Sequence, residues 1–129
     1  MTGIPEEARA LLTSEPLVAH LATCADGGPH VAPLWFAVHD DHVELLTTGR
    51  KLENIRSNPR VALSVQKDEG GADPQWAVTL RGTAEIVDDE AEADAIRERV
   101  HGHYGVAADE WPENVAVSIA VGSVNYWSY

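Results

Sequence analysis

The chain alternates short apolar runs with tight polar breaks, and three stretches interrupt that rhythm with apolar residues at helical spacing. Pro5 to Leu12 opens with proline at a first helical position and carries Glu6 and Glu7 in its first turn, which predicts a helix that ends before Pro16. Leu17 to Thr23 and His30 to Val38 are apolar runs on either side of Ala25-Asp26-Gly27-Gly28-Pro29, a hairpin signal. Val43 to Thr47 follows the polar turn His39 to His42, so an antiparallel meander of three strands is expected. Leu52 and Ile55 then mark a short helix stopped by Asn58-Pro59, because proline cannot continue a helix and restricts the residue before it. Arg60 to Gln66 reads as a strand and Lys67 to Gln75 as a loop. Trp76 to Val87 reads as a long strand with a bulge or bend at Gly82. Asp88 or Asp89 caps a helix with Ala93, Ile96 and Val100 on one face, closed by Gly105, and Val115 to Trp127 is the last strand. Six strands with mostly short connections predict a mainly β fold with short helices, an antiparallel barrel rather than a doubly wound sheet. At 129 residues the chain is expected to form one domain, 1–129.

Charge narrows the partners. With 21 acidic residues against nine Lys and Arg, the net charge is −12, and nucleic acid or an anionic membrane would be repelled over most of the surface. Neither is expected as a partner. The sequence shows no leader pattern and no apolar run long enough to cross a bilayer, and its one cysteine, Cys24, cannot pair within the chain, so a cytoplasmic location is expected. Lysine occurs only as Lys51 and Lys67. A surface so acidic and so poor in lysine suits a halophilic protein, since concentrated salt screens the self-repulsion. His39-x-x-His42 and His101-x-His103 each lack a third ligand nearby, so no metal is expected.

The densest chemistry lies in Leu45 to Ile55. Thr47, Thr48 and Gly49 precede the adjacent pair Arg50-Lys51 where an apolar strand hands over to a helix, and four of the nine basic residues (Arg50, Lys51, Arg56 and Arg60) fall in this segment. Backbone N–H groups at a helix start favour an anion, and Arg and Lys add a planar fork and a point charge, so the segment reads as a phosphate site. It is not a glycine-rich nucleotide loop, because neither GxGxxG nor GxxxxGK[ST] occurs. Pro33 is the second clue. It cannot donate to a ladder and so belongs on an edge strand or at a bulge, where a flat ring could lie beside Trp35 and Phe36.

Taken together, Leu21-Ala22-Thr23, Pro33-Leu34-Trp35-Phe36, Leu46-Thr47-Thr48-Gly49-Arg50-Lys51, Asn54-Ile55, Asn58-Pro59-Arg60-Val61 and Gly82-Thr83-Ala84-Glu85 resemble the pyridoxamine 5'-phosphate oxidase-like flavin proteins. The resemblance covers residues 17 to 127 and implies a six-stranded split β-barrel. It implies a homodimer holding FMN between subunits, with the ring along Val31, Pro33, Leu34 and Trp35. It places the phosphate on Arg50 and Lys51 with help from Leu46, Thr47 and Thr48, and brings Trp127 to the flavin from the other subunit. The oxidase's own Arg- and His-containing tail has no counterpart at Trp127-Ser128-Tyr129. The implied function is therefore an FMN-dependent oxidoreductase of an unnamed small molecule, with no catalytic side chain assigned and the substrate expected beside the loop Lys67 to Gln75. A branch of the same superfamily that binds the deazaflavin F420 is also similar, though the adjacency of Arg50 and Lys51 looks more like the FMN branch. A flavin carrier without turnover is the other alternative.

Overall fold

The structure is a computed structural model that describes residues 3–70 and 72–129. Its elements, in chain order, are α1 (Glu6–Leu12), β1 (Ala19–Ala25), β2 (Gly28–Leu34), β3 (Phe36–His39), β4 (His42–Thr47), α2 (Gly49–Ser57), β5 (Arg60–Asp68), β6 (Pro74–Ile86), α3 (Glu90–His103) and β7 (Val115–Ser128). The strands form one antiparallel sheet in the order β2-β1-β5-β6-β7-β4-β3. Local chemistry explains the tight turns. Asp26 and Gly27 both hold positive φ between β1 and β2, as a two-residue hairpin loop requires, and Asp40 does the same between β3 and β4.

Seven strands are present, not six, because the run expected from His30 to Val38 breaks at Trp35. The expected meander is broken at the same point. β2 pairs with β1 and β3 with β4, and these two consecutive strands occupy opposite edges of the sheet with one residue between them. A single residue spans only a few ångströms, so the edges must approach each other and the sheet curls into a split barrel. The break leaves the Phe36 N–H without a ladder partner, and Tyr104 repairs it. Its hydroxyl accepts from Phe36 N at 3.1 Å and donates to the Leu17 carbonyl.

Strand alternation then sorts residues to two faces. Leu21, Leu63, Val65, Val78, Leu45, Val117 and Ile119 turn inward with Phe36 to form the barrel core, which α1 closes with Ala8 and Leu12. A second cluster lies outside the barrel, where Ile96 and Val100 of α3 cover Ala37, Leu46 and Ala116. Asp89 caps α3 by accepting from Glu92 N at 2.9 Å, as the sequence suggested. The expected bulge at Gly82 is also present, as a register shift between Arg81 and Gly82 against β7. Only glycine fits there. A Cβ would collide with the Ala120 carbonyl and come within 2.8 Å of Ile119 Cγ2.

Candidate cofactor site

Gly49 has φ +68, a left-handed conformation that glycine adopts without steric cost, and it turns the chain from β4 into α2. The N-cap residue Thr48 is extended and its side chain makes no capping bond, so the first amides of this nine-residue helix stay available. Leu52 and Ile55 bury one face of the helix. Asn54, also buried, donates from Nδ2 to Thr23 Oγ1 at 3.0 Å and ties α2 to β1. Arg50 is exposed and Lys51 half-buried on the first turn, one helical turn before that anchor. Thr47 turns into the barrel, 3% exposed, which leaves Thr48 as the accessible hydroxyl of the pair.

The cations divide into two groups. Arg9 pairs with Asp41 at 3.3 Å, Lys67 with Glu15 at 2.9 Å, and Arg99 grips Glu44 through two bonds of 2.7 and 2.8 Å. Arg97 donates to the carbonyls of Trp111 and Asn114. Among the described residues, Arg50, Lys51, Arg56, Arg60 and Arg81 have no carboxylate partner. All five lie on α2, β5 and β6. Arg60 and Arg81 line a hollow of about 610 Å³ with Thr23, Cys24 and Ser123, so Thr23 links that hollow to α2. An adjoining hollow of about 240 Å³ shares Ala22, Ala62, Arg81 and Ser123 with it and adds His20, Val31 and Asn125. Both open on the sheet face that α3 leaves bare. Arg81 drew no notice in the sequence, although its alternation with Ala77, Thr79 and Thr83 gives the signal: a lone cation on an outward stripe of small residues.

The other expected contacts separate. β2 is an edge strand, as Pro33 implied. Val31 and Pro33 are exposed on it, Val31 at 65%. Leu34, Trp35 and Leu46 line a different hollow, of about 280 Å³, against α3. Trp127 lies opposite Ala77 on the same outer face as Arg81 and Thr83, but at the far end. The six steps along the strand from Ala77 to Thr83 span roughly 20 Å. One chain therefore does not bring Trp127 to the Arg50-Lys51 turn. The loop after Lys67 joins Trp127 at that far end, where Tyr129 N donates to the Gln75 carbonyl at 3.0 Å. His39 faces His42 across the β3–β4 hairpin, and no cluster of three or more His, Cys, Asp or Glu side chains occurs among the described residues. No helix among them is long and apolar enough to cross a membrane.

Tyr104 joins the two halves of the split and stacks on Trp35 at 4.4 Å. Burial pushes its hydroxyl above the usual 10.0, partly offset by the Phe36 N–H that would stabilise the phenolate. The native state thus holds this proton longer than the unfolded chain does. The associated stability is fully present below pH 10 and is lost as pH rises from there through the raised native value. Tyr104→Phe should be less stable than the parent at neutral pH by ~1 to 2 kcal/mol, having lost two hydrogen bonds. The deficit should shrink above pH 10, as urea titrations at pH 7 and 10.5 would reveal. A deficit unchanged between the two would mean that the hydroxyl is not desolvated.

The sequence model of the family described as pyridoxamine 5'-phosphate oxidase matches residues 4–128. No protein of curated function matches the sequence significantly. Among solved structures, the conserved hypothetical protein Rv2991 of Mycobacterium tuberculosis superposes with a TM-score of 0.82 at 27% identity, covering 98% of this chain and 86% of that one. A protein of Mesorhizobium loti described as FAD-binding gives 0.76 at 25% identity, with 95% and 94% covered. A structure described as an F420 reductase gives 0.74 at 29% identity, with 95% and 98% covered. With a match over nearly its full length and the curled antiparallel sheet to accompany it, this chain belongs to the pyridoxamine 5'-phosphate oxidase family.

Proposed function

We propose that this protein is an oxidoreductase that binds FMN by its phosphate at the start of α2 and acts on a small molecule as a homodimer. The observation that carries the reading is the gathering of five cations without acidic partners around α2 and its neighbouring strands in a chain of net charge −12. The residues present fit the group: the open amides after Thr48, Arg50 and Lys51 would hold the phosphate, and the exposed side of β2 at Val31 and Pro33 offers an apolar bed for the ring. Bound there, the flavin would supply hydride chemistry. The chain's own residues would fix its position and exclude water. Dimerisation has a geometric motive. A two-fold axis across the bare sheet face would lay one protomer's Trp127 end over its partner's Arg50-Lys51 end and close a site that a single chain leaves open.

F420 is the second reading. Arg60 and Arg81 are cations beyond what one phosphate needs, and they suit an anion with further acidic groups. The resemblance to structures described as FAD-binding and as an F420 reductase supports the cofactor class without choosing between them. An absorbance spectrum of the freshly purified protein separates flavin from deazaflavin. Multiple turnover with NAD(P)H or reduced F420 and an electron acceptor separates enzyme from carrier. The same sample should sediment as a dimer and melt higher in ~2 M KCl than in dilute buffer, as a halophilic surface requires. A colourless protein that takes up neither cofactor would sink the reading.

A further inference from the structure

A two-fold axis that lays the Trp127 end of the bare sheet face over its partner's Arg50-Lys51 end puts one side chain near its centre. On β6 the Trp127 end is marked by Ala77, and the opposite end by Thr83, which pairs with Arg60. Midway between them is Leu80, whose side chain turns into the core. Its outward neighbours are Thr79 and Arg81, so each protomer's Arg81 stands one strand residue, roughly 3.4 Å, from the level of the axis. Arg81 is exposed in the single chain. Sheets packed face to face lie only about 10 Å apart, so the dimer would bring two guanidinium groups together and take them out of water.

Neither protomer supplies a counter-charge at that point. Among the described residues, β1, β5, β6 and β7 carry two carboxylates, Asp68 and Glu85. Asp68 pairs with Pro74 at the Trp127 end, and Glu85 lies four residues beyond Arg81, roughly 13 Å along the strand. The two-fold carries the partner's Asp68 to the Arg60 end and the partner's Glu85 to the Trp127 end. Arg60 thereby gains a carboxylate and Arg81 does not. A buried guanidinium without a partner is strongly unfavourable, and a second one beside it adds repulsion. Room exists for a third party. The hollows of about 610 and 240 Å³ both include Arg81 and Ser123, which sit opposite each other in the β6–β7 ladder, and the smaller one adds the hydroxyls of Thr79 and Ser64.

We propose that an inorganic oxyanion of the sulfate or phosphate kind binds on the two-fold axis between the two Arg81 side chains, with Ser123 of each protomer beside it, and that it tightens the dimer. The guanidinium fork matches such oxygens, and one doubly charged ion neutralises the pair. The site lies at the centre of the face, apart from the phosphate position at the start of α2. It rests on the homodimer reading and not on the identity of the cofactor.

Sedimentation of the protein as purified tests it, over a range of protein concentrations in KCl and with part of the KCl replaced by potassium sulfate at equal ionic strength. Sulfate should tighten the dimer about tenfold. Arg81→Gln should abolish that difference and, freed of the repulsion, should dimerise in KCl at least as tightly as the parent. A parent dimer equally tight in both salts, or a sulfate effect that survives in Arg81→Gln, would overturn the proposal and leave the homodimer reading standing. So would a folded Arg81→Gln that no longer dimerises, because Arg81 would then have a carboxylate in the partner. A sulfate effect that vanishes on saturation with FMN or F420 would overturn it by giving Arg81 to the cofactor. A parent that stays monomeric in both salts would overturn the proposal and the homodimer reading together.

Discussion

Lys51→Ala is expected to weaken FMN binding by about ten- to a hundredfold, since it removes one charge-assisted contact worth ~1.5 to 3 kcal/mol. Riboflavin, which lacks the phosphate, should bind parent and variant alike. The fold should survive, because Lys51 sits half-buried on the first turn of α2 while Leu52, Asn54 and Ile55 anchor the helix. Arg56→Ala, on the last turn of the same helix, controls for a general loss of positive charge. Titration of apoprotein by fluorescence quenching reads all four combinations. If Lys51→Ala weakens both ligands equally, or neither, the phosphate lies elsewhere.

The largest effect on stability is expected at the seam between α3 and β4. Glu44 is 4% exposed at its side chain and receives both arms of Arg99, whose own side chain is 33% exposed. Arg99→Met keeps much of the stem but leaves a buried carboxylate uncompensated, at a cost of ~3 kcal/mol. For a chain of this size that lowers the thermal midpoint by roughly 6 to 12 °C. Arg99→Met with Glu44→Leu should recover most of the loss, because the second change removes the stranded charge and adds apolar surface beside α3. A single-variant loss below about 0.5 kcal/mol would mean that Glu44 is solvated after all.

Local chemistry was legible along most of the chain. Asp89 as a cap, Gly82 as a bulge and Asp26-Gly27 as a tight turn each follow from what one residue's backbone or side chain can do, and each holds in the fold. The Trp35 break was not legible. Pro33 signals an edge or a bulge but not a break at Trp35, and the acceptor that makes the break affordable belongs to Tyr104, almost seventy positions away. The candidate site divides the same way. Arg50-Lys51 stands out because the charges are adjacent in sequence, whereas Arg60 and Arg81 become neighbours only through the β5–β6 register. Trp111 escaped notice for a related reason, because its positive φ, with Arg97 bonded to its carbonyl, is not written in residue types.

The one-residue joint at Trp35 also orders the events of folding. The β1–β2 and β3–β4 hairpins join near neighbours and can form alone, but the β4–β7 ladder must bring His42 to Ala120 and the β1–β5 ladder Ala19 to Val65. Such contacts reward the chain only after the entropy of closing long loops has been met. Until both have formed, Trp35 is a swivel between two independent hairpins. Afterwards it is the clasp that holds the two edges of the sheet together.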